Sequence, residues 1–211
     1  MTANLRLVGE RCALIIVDMQ NSYLEPEGAM AKVGLDWTRL RAAAPGCQRL
    51  LAAARKAGIP VIHTQYVFQP DFKDGGLLTR EIMPELKEAG LCVKGSWDAE
   101  FWDGLKPLPN EAVIEKNRPS AFYSTQLESF LRAMQIENLV VCGITTSMCV
   151  ESTVRDAAQR DFRTFVVRDA TGEVVQDRYD GALKTMGFLF AKVMTVNEVL
   201  DSWKVELSNV A

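Results

Sequence analysis

The stretch 139–158 constrains the fold more than any other part of the chain. It begins as an apolar, β-branched run, Leu139-Val140-Val141-Cys142, turns at Gly143, passes through Thr145-Thr146-Ser147, and reaches Cys149. Beyond Cys149 the spacing becomes helical, with Val150, Val154 and Ala157 or Ala158 on one face and Glu151, Arg155 and Asp156 elsewhere. Cys149 is therefore expected in the first turn of a helix that directly follows a buried strand. Backbone N–H groups there lack intrahelical partners, and the helix dipole favours negative charge. On that ground Cys149 is expected to ionise more readily than a free thiol, whose pKa is about 8.5. The same residues equally fit a buried cysteine packed as a small hydrophobe, with Thr and Ser capping the helix.

The strand-then-helix unit recurs along the chain. Strands are expected at 13–17, from 60, at 112–114, 139–142, 162–167 and 191–195, and helices at 41–56, 125–134, after Cys149, at 177–188 and from about 196. Pro45 must lie near the start of the first long helix or kink it, and Gly58 ends that helix. The segment 69–109 reads as long and irregular, rich in Gly and Pro, with Trp97, Phe101 and Trp102; a loop of that length is usually functional. Strands alternating with helices imply an α/β fold, a doubly wound six-stranded parallel sheet of order 3-2-1-4-5-6 with helices on both faces. A single domain over 1–211 follows, since 211 residues with 48% hydrophobic side chains suit one closed core.

In such a sheet, ligands bind beyond the strand C-termini where the strand order reverses. Strands one and four flank that crevice, which brings Asp18 at the end of the first beside Cys149 after the fourth. Asp18-Met19-Gln20-Asn21-Ser22-Tyr23 stands where a Gly-rich phosphate loop would be, so a dinucleotide is not expected. Net charge is −3 without a basic run, which disfavours nucleic acid. No apolar run is of membrane-spanning length, and the first six residues lack a signal-peptide pattern. Five scattered cysteines without CxxC spacing suggest neither a disulfide framework nor a zinc site, and a reducing cytoplasm fits best. Lys116 ends strand three and leads into Ser120-Ala121-Phe122-Tyr123; such a lysine is commonly a solvated surface residue, and here it has to reach inward across a strand to meet Asp18.

Three pieces together carry a resemblance: Ile16-Val17-Asp18-Met19-Gln20, Lys116 with Ser120-Ala121-Phe122, and Gly143-Ile144-Thr145-Thr146-Ser147-Met148-Cys149-Val150 with Thr153 and Asp156-Ala157. In this order and spacing they resemble the isochorismatase-like cysteine hydrolases, over about 12–203. Asn21-Ser22-Tyr23, Lys94-Gly95-Ser96-Trp97 and Cys149-Val150-Glu151-Ser152-Thr153 are most similar to the ureidoacrylate amidohydrolases of that family. The resemblance implies a catalytic triad of Asp18, Lys116 and Cys149, a backbone oxyanion hole at Thr145 and Cys149, and a cis peptide at Ile144–Thr145. It implies cleavage of a C–N bond of a small ureido, carbamoyl or amide compound, through a thioester and with release of ammonia, by a homodimer or homotetramer.

Departures from the family pattern sharpen the expectation. Nicotinamidases of the family use an Asp and two His for a metal, whereas this chain has one histidine, His63, expected to be a satisfied core or crevice residue; no metal and no cofactor are expected. Cys149 argues against the vinyl-ether hydrolysis of true isochorismatases, which lack that cysteine. Tyr23, Trp97 and Phe122 are candidates for an aromatic pocket wall, and Gln20, Asn117 and Thr146 for polar pocket contacts. Arg118 or Arg80 are the cations available for a substrate carboxylate. Asp169-Ala170-Thr171-Gly172 is given a structural role only. Other readings are a non-catalytic member of the fold, and a redox-sensing thiol with Cys142 nearby as its partner.

Overall fold

The computed structural model describes residues 5–204; the sequence positions 1–4 and 205–211, including most of the segment read for a signal peptide, lie outside it. Six parallel strands form one sheet in the order β3-β2-β1-β4-β5-β6. They are β1 (Cys12–Val17), β2 (Val61–Tyr66), β3 (Ala112–Lys116), β4 (Asn138–Ile144), β5 (Arg163–Gly172) and β6 (Lys192–Met194). β1 and β4 are buried at every position, as their unbroken apolar runs require when helices cover both faces.

The main helices are α1 (Ala44–Ala57), α2 (Leu127–Ala133), α3 (Glu151–Ala158), α4 (Gln176–Thr185) and α5 (Val196–Trp203). Right-handed crossovers place α1 on one face, where α5 packs against it, and α2, α3 and α4 on the other. Pro45 falls in the first turn of α1, where its missing N–H costs nothing, and Gly58 closes the helix with φ +68°. Thr195 and Glu198 form a reciprocal capping box that starts α5. None of the helices among the described residues is long and apolar enough to cross a membrane.

Two departures from the sequence expectation matter for the site. Residues 69–109 are not irregular: they hold short helical turns at Leu78–Ile82, Glu85–Glu88, Trp97–Ala99 and Asp103–Leu105, and bury Phe72, Leu86, Leu91, Cys92 and Leu105. Asp98 ties the segment down by accepting from the N–H groups of Ala29 (2.9 Å) and Cys92 (2.7 Å). Gly and Pro punctuate it because the turns are short, not because the chain is loose. Second, β5 continues to Gly172, five residues past the expected end. A shift in register after Val141/Val166 lets the strand bulge and then pair again, Gly143 with Thr171 and Ile144 with Gly172. The bulge carries the polar residues Arg168 and Asp169, so the buried apolar run that marks the strand breaks off there.

Candidate active site

β1 and β4 run side by side to their C-terminal ends, Val17 opposite Gly143. They approach so closely that a Cβ on Gly143, whose φ is +107°, would lie 2.2 Å from the Val17 carbonyl oxygen. Only glycine fits there. Beyond this contact the two chains diverge: β1 into Asp18, with the uncommon φ of +52°, and β4 through the cis Ile144–Thr145 peptide into a wide turn, Thr146–Val150, that leads into α3. Cys149 therefore sits in the turn at the head of the helix, as the sequence suggested, with Asp18 across the crevice.

Lys116 does reach inward. From the end of β3 it passes beneath Tyr66, whose ring centroid is 4.2 Å from Nζ, and its ammonium ends 2.6 Å from Asp18 Oδ2. It also donates to the Arg118 carbonyl at 3.1 Å. Thr64 completes the setting of Asp18: its hydroxyl donates to Oδ1 at 2.5 Å and accepts from the Asp18 N–H at 3.1 Å. The Cys149 thiol lies close enough to Asp18 and Lys116 for both to act on its ionisation. Asp18, Lys116 and Cys149 are 0%, 4% and 8% exposed, so the three converge in a nearly closed, low-dielectric site.

Electrostatics in that site differ from the sequence expectation. Burial pushes the Cys149 thiol up to about 12; the Lys116 ammonium pulls it down, but the adjacent Asp18 carboxylate adds to the rise. The start of a helix favours a thiolate, yet here burial and a neighbouring anion outweigh it. Burial and the neighbouring carboxylate thus favour the thiol over the thiolate, with Asp18 beside it. For Lys116, burial works against the charged form, but the Asp18 carboxylate, and Cys149 once ionised, outweigh it and raise its pKa, so the ammonium persists at neutral pH.

The pocket candidates divide. Tyr23 is buried and lies close enough to Asp18, Cys149, Tyr66 and Cys92 for their charges to raise its pKa, after burial itself. Gln20 is buried and its amide is fully engaged: Nε2 donates to the carbonyls of Ala99 (2.8 Å) and Tyr66 (2.9 Å), and Oε1 accepts from Tyr66 N–H (2.7 Å). It staples 97–101 to β2. Thr146 is likewise engaged. Thr171 Oγ1 gives its proton to the Gly143 carbonyl at 2.8 Å, so Thr146 Oγ1 must be the donor in the 2.9 Å contact with Thr171 Oγ1. Asn117 donates to Asp74 Oδ2 at 3.1 Å, and its carbonyl accepts from Tyr66 and Arg118. Trp97 is 46% exposed, while its carbonyl accepts from Asn21.

Phe122 is buried away from solvent. It packs on Phe162 (ring centroids 6.0 Å apart) under the Arg160 guanidinium, beyond the far end of α3. Its segment runs along that helix: Ser120 Oγ donates to Asp156 Oδ2 at 2.5 Å, and Ala121 N–H donates to Thr153 Oγ1 at 3.0 Å. These bonds explain Ser120, Ala121, Thr153 and Asp156 as a clamp that fixes Lys116 relative to Cys149. His63 is buried with Nε2 3.0 Å from Glu111 Oε2, and burial lowers its pKa. Among the described residues no cluster of three or more His, Cys, Asp or Glu is placed to hold a metal ion. Cys142 is buried, and burial together with the nearby Cys47 raises its pKa. Arg80 pairs with Glu81, and Arg118 holds the carbonyls of Asp74 and Asn117.

Sequence reasoning missed Thr64, Tyr66 and Glu173. The first two end β2 beside the switch point, where the crevice rule itself points. Glu173 follows the bulge of β5, whose hidden continuation concealed it.

A profile of the isochorismatase domain matches residues 12–198. Ureidoacrylate amidohydrolase RutB of Azorhizobium caulinodans is 38% identical over 174 residues, covering 77% of this chain and 76% of its own. RutB of Acinetobacter baylyi is 40% identical over 178 residues, covering 79% and 72%. Among solved structures, a cysteine hydrolase from Pseudomonas syringae pv. phaseolicola superposes with a TM-score of 0.87 at 26% identity over 97% of both chains. N-carbamoylsarcosine amidase from Thermoplasma acidophilum superposes with a TM-score of 0.71 at 25% identity, over 88% of this chain and 96% of the other.

Proposed function

The chain belongs to the isochorismatase family and is a hydrolase of non-peptide C–N bonds, and we propose that it cleaves a small ureido or carbamoyl compound with Cys149 as nucleophile. The observation that carries this reading is the convergence of the Cys149 thiol with the Asp18–Lys116 ion pair in one buried site. The RutB relatives, named for ureidoacrylate, supply the substrate class.

Asp18 takes the thiol proton as the sulfur attacks the carbamoyl carbon. Lys116 stays charged throughout and offsets the anion that moves from carboxylate to sulfur. The tetrahedral oxyanion is received by the backbone N–H groups of Thr145 and Cys149. Its collapse breaks the terminal C–N bond; Asp18 returns the proton to the departing nitrogen, and ammonia leaves. Water, deprotonated by Asp18, then attacks the S-acyl intermediate, the C–S bond breaks, and the proton returns to Cys149. A urea carbonyl is a poor electrophile because two nitrogens donate into it. The chemistry therefore depends on a fixed oxyanion donor, whose loss typically costs about 100- to 1,000-fold in kcat.

The test is ammonia release across ureido acids, carbamoyl amines, biuret and simple amides, with Cys149→Ala as control. Ureides are the expected best substrates, and the alanine variant is expected to be folded and inactive. If simple amides were turned over roughly ten times better than every ureide, by kcat/KM, the substrate class would be wrong. An active Cys149→Ala would remove the mechanism. We also propose a homodimer or homotetramer, supported by exposed Phe188 and Leu189 in the turn Met186–Phe190 that follows α4; light scattering at the monomer mass would refute it.

A further inference from the structure

Glu173 is a buried carboxylate, 2% exposed, that the proton transfers above do not use. It stands where β5 ends, beside the turn that carries Cys149. Its Oε2 accepts two bonds from one residue, Ser147 N–H at 3.0 Å and Ser147 Oγ at 2.6 Å, and its Oε1 accepts from Val174 N–H at 2.9 Å. The Arg178 guanidinium lies 3.8 Å from Oε1. A carboxylate accepting hydrogen bonds at the head of a helix is held more firmly than a neutral group would be.

The bonds around it pin the residues on either side of Cys149. In the turn, the Ser147 N–H goes to Glu173, while the N–H groups of Met148 and Val150 both go to the Thr145 carbonyl, at 3.2 and 3.1 Å. That carbonyl passes over the Cys149 N–H between them. The outer side of the turn is fastened to β5 at successive points: Gly143 and Thr146 to Thr171, Ile144 to Gly172, and Ser147 to Glu173. An oxyanion donor has to be free of other partners and fixed before the reaction begins. The Glu173 bond is the last of these fasteners and the nearest in sequence to Cys149.

We propose that Glu173, acting through Ser147, is a positioning residue that holds the Cys149 amide where the oxyanion forms. The inference rests on Cys149 being the nucleophile. Removing the carboxylate frees the turn without touching the Asp18–Lys116 pair that creates the thiolate. Oxyanion stabilisation and thiolate formation are therefore separable in this chain. In Glu173→Gln the amide oxygen still accepts from Ser147, but the NH2 group faces the Val174 N–H, so rescue is partial.

Two reagents read the two properties on the same sulfur. Iodoacetamide needs only the thiolate; p-nitrophenyl acetate needs the thiolate and an oxyanion donor. Glu173→Ala is expected to slow acylation about 10- to 100-fold, with alkylation of Cys149 within about 3-fold of the parent chain. Glu173→Gln and Ser147→Ala are expected to fall between, and they carry the test if the alanine variant does not fold. On the best ureide, kcat falls with acylation while KM stays within about 2-fold. An acylation-to-alkylation ratio unchanged in all folded variants overturns the proposal, as does an equal fall in both rates. Mass spectrometry separates the premises: alkylation of another cysteine first in the parent chain sinks the nucleophile and the positioning role together. Normal labelling of Cys149 with an unchanged ratio sinks Glu173 alone.

Discussion

The Lys116 ammonium passes under the Tyr66 ring to lie 2.6 Å from the Asp18 carboxylate, and both side chains are cut off from solvent. A buried ion pair of this kind contributes little net stability, but losing one partner leaves the other charge uncompensated. Lys116→Met is accordingly expected to destabilise the fold by about 3–5 kcal/mol and to abolish turnover. Adding Asp18→Asn removes the stranded charge and should recover much of the stability without any activity. Urea unfolding midpoints read the first effect. A double variant no more stable than the single one would show that Asp18 is not paired with Lys116.

Alkylation of Cys149 by iodoacetamide is expected to rise about tenfold per pH unit from pH 7 to 10, without a plateau near neutrality. The reason is the thiol pushed up to about 12 by burial and by Asp18, against the opposing pull of Lys116. Cys149 should still react before the other four cysteines, because it is the least buried of them and has a base at hand. A plateau at or below pH 7 in the labelling rate, followed by mass spectrometry, would indicate a thiolate already present at rest.

Stability should be insensitive to these thiols below about pH 9 and fall above it. Burial raises Cys12 and Cys149 from 9.0 to about 12. Below 9 folded and unfolded chains both keep the protons, so the contribution is complete. Between 9 and 12 the unfolded chain releases protons that the folded chain retains, and each thiol then costs on the order of 1 kcal/mol per pH unit. Buried Tyr23 and Tyr66, also raised, act in the same direction. Cys12→Ala should flatten the alkaline decline of the urea midpoint by one thiol's share; an unchanged slope would contradict the assignment.

Hydrolysis is expected to survive exhaustive chelation. Catalytic zinc generally takes histidine ligands, and the single histidine here has its Nε2 committed to Glu111 within the core. Dialysis against 1,10-phenanthroline followed by the ammonia assay checks this. Activity lost to the chelator and restored by zinc would refute it.

Local pattern was enough for the sheet and for the part of the site that the sheet carries. Continuous apolar runs at 13–17 and 139–142, alternating with helical spacing, specify a parallel sheet. Strand order then brings Asp18 to the Cys149 turn, because both residues end adjacent strands. Lys116 and the cis Ile144–Thr145 bond came from family resemblance, since no spacing rule says that a lysine two strands away will turn inward. Tertiary structure alone decided the rest. Only packing shows that Gln20 and Thr146 give their polar groups to backbone and Thr171, and that Phe122 follows α3 to its far end. Only burial and the neighbouring Asp18 carboxylate oppose the thiolate expected of a helix-head cysteine. And only the bulge in β5 brings Glu173 back to Ser147, because a strand that breaks its buried apolar run and then resumes pairing leaves no periodicity to read.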